Sequence, residues 1–130
     1  MLFRSLFYSG ASHSFISRQF CMSRGLVILA VRQQISVGTP TRVSVDLPEM
    51  VRRYEIRFMG RTFVIDMFVL SFESFDVILG MNWLERHYVS LDYGRRRVVL
   101  SEPGMERLVY ECETPRDSVM TSFLFTLEIP

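Results

Sequence analysis

The side chains able to do chemistry crowd into one short stretch. Ser9, Ser12 and Ser14 alternate with Gly10, Ala11 and His13 directly after an apolar run that ends in Phe7-Tyr8. A hydroxyl beside an imidazole points to nucleophilic catalysis, which needs nucleophile, base and orienting group in mutual contact. Neighbours in sequence rarely face one another, and no Gly-x-Ser-x-Gly turn is present to expose a serine. His13 therefore reads as a solvent-facing or capping histidine. Of the carboxylates, Asp66 lies in an alternating apolar run and Asp76 directly precedes Val77-Ile78-Leu79-Gly80. Asp66 reads as a surface carboxylate on the solvent side of its strand. Cys21 and Cys112 are far apart, with no Cys-x-x-Cys or Cys/His grouping, so neither a zinc site nor a disulfide framework is expected and no cofactor is implied.

Two separated stretches carry more information together than either does alone. The first is Phe7-Tyr8-Ser9-Gly10-Ala11-Ser12-His13-Ser14-Phe15-Ile16, an apolar run that stops in a small-residue turn. The second is Phe75-Asp76-Val77-Ile78-Leu79-Gly80-Met81-Asn82-Trp83-Leu84, a β-branched run that stops at glycine and restarts as a short amphipathic segment. In this order, with strand-rich sequence between them, they resemble the retropepsin-like aspartic protease domain of plant gypsy-class retrotransposon polyproteins. The likeness covers about residues 5 to 101. That family's first motif carries the catalytic aspartate where this chain has Tyr8, followed by Ser9 and Gly10. Its flap over the substrate corresponds to the neighbourhood of Gly38, Thr39 and Pro40, which by composition alone reads equally as an ordinary hairpin tip. Asn82 stands where the family often has aspartate, a position serving the loop and helix start.

What the resemblance implies about activity turns on Tyr8. An aspartic protease activates water between two carboxylates that share a proton because like charges about 3 Å apart cannot both ionise. A tyrosine phenol loses its proton only near pH ~10 and offers no base at neutral or acidic pH. Retropepsin-like chains supply one aspartate each to a homodimer, so this chain lacks both once it pairs with itself, and no second Asp-Ser/Thr-Gly motif replaces them. The expected function is a retrotransposon-derived aspartic endopeptidase domain without activity. The alternatives are a non-enzymatic peptide-binding or dimerisation module, or a decayed polyprotein fragment.

Composition narrows the partners. The 130 residues suit one core, burying roughly two-thirds of the extended chain's surface. A net charge of +1 argues against nucleic acid. All 15 cationic side chains are arginine, which removes lysine chemistry. Arg95-Arg96-Arg97 reads as a solvated hairpin edge. No apolar run is long enough to span a membrane, and the start, broken by Arg4, is no signal peptide. A soluble, cytoplasmic protein with reduced thiols is expected, its partners a peptide or polyprotein and a second copy of itself.

The elements that must position these residues are mostly strands. Alternation and turn signals predict an all-β architecture with short helices, a retropepsin-like acid protease barrel truncated at its N-terminus. Strands are expected over 2–7, 26–32, 35–38, 43–47, 51–58, 63–70, 75–79 and 97–100. Met59-Gly60-Arg61-Thr62 should be a hairpin turn. Helices are expected from about Phe15 to Arg24, N-capped by Ser12 or Ser14 and ended by Gly25, and from Met81 to His87 with Trp83 and Leu84 packed under the sheet. Residues 1–101 form the expected domain. Residues 102–130, rich in Pro, Gly and Glu at first, read as a poorly ordered linker or tail whose apolar end adds at most an edge strand.

Overall fold

The computed structural model describes residues 2–31, 35–37, 43–45, 48–111 and 122–128. Its elements in chain order are β1 (Leu2–Tyr8), β2 (Phe15–Ser17), α1 (Arg18–Arg24), β3 (Leu29–Ala30), β4 (Ile35–Val37), β5 (Val43–Val45), β6 (Glu49–Phe58), β7 (Arg61–Leu70), β8 (Val77–Leu79), α2 (Met81–Arg86), β9 (Val89–Asp92), β10 (Arg97–Leu100), β11 (Leu108–Glu111) and β12 (Ser122–Glu128). Strands dominate, as the alternation predicts. The main sheet runs β12-β1-β8-β2-β7-β6-β3, and a further pairing of β12 with β6 closes six of these strands into a ring. Closure removes the open edges along which a flat sheet would associate.

The threading of β8 positions the site. β1 and β2 are joined by the short loop after Tyr8, yet they do not pair with each other. β8 lies between them, parallel to β1 through Ser5↔Val77 and Phe7↔Leu79 and antiparallel to β2 through Phe15↔Ile78. The end of β8 therefore arrives against the inside of the loop that joins its two neighbours. β8 and β2, each flanked by strands on both sides, are mostly apolar, and Phe15, Ile16, Val77 and Leu79 are all fully buried.

Around this knot the core is aromatic. Phe7 packs edge-on to Phe58 at 5.5 Å and stacks on Trp83 at 5.8 Å between ring centroids. Phe63 meets Trp83 edge-on at 5.2 Å. Burying such side chains contributes about 1.5–3 kcal/mol each from area alone. Trp83 and Leu84 of α2 thus sit beneath the sheet, where the sequence places them. The β6–β7 hairpin turns on Met59 and Gly60, both at positive φ (53° and 76°), the pairing demanded by a tight two-residue turn between right-twisted strands.

Three expectations need correction. The predicted helix from Phe15 begins only at Arg18, because Phe15–Ser17 is inserted between β7 and β8 as a strand. Its N-cap is Ser17, whose side chain accepts the Phe20 N–H at 3.0 Å, and Gly25 closes it in the left-handed conformation at φ 61°. The buried strand predicted over 26–32 shrinks to Leu29–Ala30, both exposed and paired only with Met50 and Glu49 at the end of β6. The third is the tail, since pairing does not stop at residue 101. β11 extends a three-stranded sheet of β9, β10 and β11, and β12 pairs with β1 from Leu2↔Glu128 to Tyr8↔Ser122 inside the main ring. Backbone hydrogen bonds to β1 outweigh the unpromising composition that precedes this strand. Cys21 is a buried free thiol, and burial pushes its pKa up. Cys112 lies outside the described residues.

Glu102 also ties the later segment down. Its carboxylate lies 3.1 Å from His87 Nδ1 and 3.7 Å from Arg61 Nη1, while Arg61 Nη2 donates to the Glu106 carbonyl at 2.8 Å. Burial pushes the His87 imidazole below its usual value of 6.5, more strongly than Glu102 raises it. The unfolded chain then binds a proton at a pH where the folded chain does not, so stability is fully present above the unfolded value and is lost as pH falls through the folded one. Urea midpoints should therefore drop between about pH 7 and pH 5, and His87→Gln should flatten that dependence. An unchanged slope in the variant would assign it to other groups.

Candidate functional site

β1 delivers Tyr8 to the mouth of the loop that β8 undercuts. The Ala11 N–H donates to the Tyr8 carbonyl at 3.3 Å and begins the turn. The Tyr8 ring folds back over Gly10, so close that a Cβ at position 10 would lie 2.6 Å from Cζ and 2.7 Å from the phenol oxygen. Only a glycine leaves room for the ring in this position. Tyr8 is half-buried against a second apolar cluster, separate from the main core, made by Ala11, Phe15 and Phe68 and flanked by Met50, Leu70, Phe72 and Ile78.

The loop is held from below by α2. A Cβ on Gly80 would come within 2.0 Å of the His13 carbonyl oxygen and 2.7 Å of that of Ala11. This bare approach lets the first N–H groups of α2 reach the loop: Met81 donates to Ala11 at 2.7 Å and Asn82 to Ser12 at 3.2 Å. These donors would otherwise be orphans of the helix start. Ser14, fully buried, completes the lock by accepting the Gly80 N–H at 3.0 Å and donating to Asn82 Oδ1 at 2.7 Å. Asn82 Oδ1 also accepts the Trp83 N–H at 2.9 Å. Asn82 thus serves loop and helix start together, whereas the buried role of Ser14 was missed. Only the long-range arrival of β8 creates it.

Ser9 takes a partner that local sequence reading also missed. Its hydroxyl lies 2.9 Å from the Tyr93 phenol, across a pocket of about 250 Å³ lined by Met81, Leu84, Glu85, Val89 and Leu91. Ser12 Oγ and His13 Nδ1 do meet, at 2.9 Å, contrary to the expectation for sequence neighbours. The His13 ring packs edge-on to Phe68 at 5.3 Å, and among the described residues no carboxylate orients it, so the pair lacks the third member of a triad.

The two aspartates nearest the motifs are occupied by structural work. Asp76 Oδ2 accepts the Arg4 N–H at 3.0 Å, and the Asp76 backbone bonds to Arg4 O and Ser17 N, clamping β8 to both neighbours. It sits at the opposite end of β8 from Gly80, about 13 Å of strand away. Asp66 is exposed, as its alternation predicts, and Oδ1 accepts the Arg53 N–H at 2.7 Å where β6 bulges between Val51 and Tyr54.

Gly38, Thr39 and Pro40, at the expected flap tip, lie outside the described residues. The strands on either side do pair, Ile35↔Val45 to Val37↔Val43, as a two-stranded sheet of their own. Among the described residues no group of three His, Cys, Asp or Glu side chains could hold a metal ion, and no helix is long and apolar enough to cross a membrane.

Comparison with known proteins places this geometry. No match was found among curated proteins. Among solved structures, the retroviral protease-like domain of Ddi1 from Leishmania major superposes with a TM-score of 0.55 at 16% identity, covering 82% of this chain and 80% of that one. At that identity the likeness speaks for the fold, a retropepsin-like one. The family model for retroviral aspartyl protease matches residues 2–106, which takes in the Tyr8 loop, the threaded strand β8 and α2. The chain belongs to the retroviral aspartyl protease family.

Proposed function

We propose that this chain is a retropepsin-like domain of a gypsy-class retrotransposon polyprotein, inactive as an endopeptidase, that engages extended peptides and a second copy of itself in the cytoplasm. The observation that supports this reading is the Tyr8 ring held over Gly10, at the position where the resemblance puts the family's catalytic aspartate. Ser9 and Gly10 complete the family motif, and the Asp76 and Asp66 carboxylates are each bound to a backbone N–H elsewhere. A phenol there neither shares a proton with a partner's carboxylate nor takes one from water. What remains is a wall of half-buried apolar side chains, Met50, Leu70, Phe72 and Ile78, beside the Tyr8 ring. Gly38, Thr39 and Pro40 would close over a peptide lying on it.

Incubation of the purified chain with a fluorescent peptide library tests both halves of the proposal. The expected result between about pH 3 and pH 8, the span over which carboxylates and imidazoles titrate, is retention of peptides with apolar side chains and no cleavage product by mass spectrometry. Cleavage suppressed by a statine-type transition-state mimic would overturn the assignment of inactivity. Failure to retain any peptide would overturn the binding role and leave a fragment without selected function.

A further inference from the structure

A separate depression of about 430 Å³ lies between the β6 bulge, β7 and α2, and none of Tyr8, Ser9 or Gly10 lines it. Its polar wall consists of Arg53, Asp66, Asn82, Trp83, Arg86 and His87. Donors outnumber acceptors. Asn82 Oδ1 is already filled by Ser14 and Trp83 N–H, which leaves the Nδ2 amide as a donor without an acceptor among the described residues. Trp83 Nε1 has no acceptor either, but it is shut off from solvent and is not among the donors a ligand in the depression would meet. Neither the Arg53 nor the Arg86 guanidinium is paired with a carboxylate among the described residues, and the one acid present, Asp66, has Oδ1 committed to the Arg53 backbone. Charge in the wall is two guanidiniums against one carboxylate, and burial disfavours a charged His87.

The backbone adds an independent sign. Arg53 stands on the bulge at φ 54°, a conformation a non-glycine residue adopts at a cost of about 1 kcal/mol or more. Bulges re-aim side chains, and Arg53, at this bulge, is one of the residues lining the pocket. The volume far exceeds the ~30 Å³ share of one water molecule. A wall short of acceptors and carrying two guanidiniums complements an oxyanion, which accepts several charge-assisted hydrogen bonds at once.

The geometry points to a second, non-peptidic site: this pocket binds the oxyanion group of a small ligand, a phosphate or carboxylate, between Arg53 and Arg86. This inference does not depend on the proposed peptide role. It has a built-in reporter, because Trp83 is the sole tryptophan of the chain and lines the pocket. Titration with inorganic phosphate at fixed ionic strength and pH should give a saturable change in tryptophan emission. Arg86→Gln, on an exposed helix end, should weaken it at least roughly tenfold by removing one charge-assisted contact, and Arg53→Gln should act alike. Arg95→Gln, outside the pocket, should leave it unchanged. An acetate arm separates the sources: response to both anions identifies a general oxyanion site, and response to phosphate alone a phosphoryl site. The assignment is overturned if chloride at the same ionic strength gives the same change, if no anion saturates, or if Arg86→Gln titrates like the parent. Should Arg53→Gln lose its circular dichroism spectrum, Arg86→Gln decides alone.

Discussion

The Tyr8→Asp variant is expected to cleave apolar peptides in the acid range while the parent chain does not. Two chains related by a two-fold axis would then bring a pair of carboxylates to the ends of their β1 strands, and a shared proton would leave one of them as a base for water. General base catalysis of this kind is worth ~10²–10⁴-fold by itself, and the carboxyl pair also binds and orients the attacking water. The pH profile should be bell-shaped, with two apparent pKa values that belong to the pair and to neither residue. A statine-type mimic should abolish the activity. The substitution has a structural side as well, since it removes the ring that lies over Gly10 and packs on Phe15 and Phe68. In the parent, Gly10→Ala must displace that ring; in the Tyr8→Asp background the obstacle is gone, and a double-mutant cycle should show the two positions coupled. If Tyr8→Asp folds and dimerises yet cleaves nothing, position 8 is not where a carboxylate confers activity on this chain.

How much of this was legible beforehand follows from the range of the interactions involved. The β6–β7 hairpin and α2 announce themselves locally, through alternation around Met59-Gly60 and through the stop at Gly80 before an amphipathic turn. Gly25 marked the end of α1 for the same reason. β2 was hidden because a three-residue strand buried on both faces has no period of its own, and its apolar residues merge with those of the helix that follows. That the apolar end of the chain could add a strand was legible, but the place of β12 was not, because composition describes what a segment can bury and not which backbone edge awaits it. The open side of β1 decides that pairing, from the other end of the chain. At the site, Tyr8, Ser9 and Gly10 could be named from the motif. Ser14 and Tyr93 could not, since their hydroxyls find their partners only where β8 and the β9–β10 turn arrive from 66 and 84 residues away.

Gly80→Ala should be the most damaging glycine-to-alanine change among the described residues, and its cost measures how tightly the threaded strand is held. The added Cβ meets the His13 carbonyl oxygen at 2.0 Å and that of Ala11 at 2.7 Å, both backbone atoms that cannot swing aside as a side chain can. Relief requires the loop to lift off α2. That lifts Ala11 and Ser12 away from the Met81 and Asn82 N–H groups and pulls Gly80 N–H from the buried Ser14 hydroxyl. Overpacking costs about 1–3 kcal/mol and each buried polar group left unpaired a further ~1–3 kcal/mol. A loss of more than about 3 kcal/mol is therefore expected from urea unfolding, or no folded protein at all. Gly94→Ala is the matched control, because its Cβ would meet nothing nearer than a side-chain oxygen of Asp92 at 3.7 Å, an ordinary contact. Ser14→Ala probes the same lock without a clash and should cost about 1–3 kcal/mol by stranding the Gly80 N–H, while Asn82 Oδ1 keeps the Trp83 N–H. If Gly80→Ala unfolds at the same urea concentration as Gly94→Ala, the loop yields easily, and a loop that yields easily cannot be what holds the Tyr8 ring in place over Gly10.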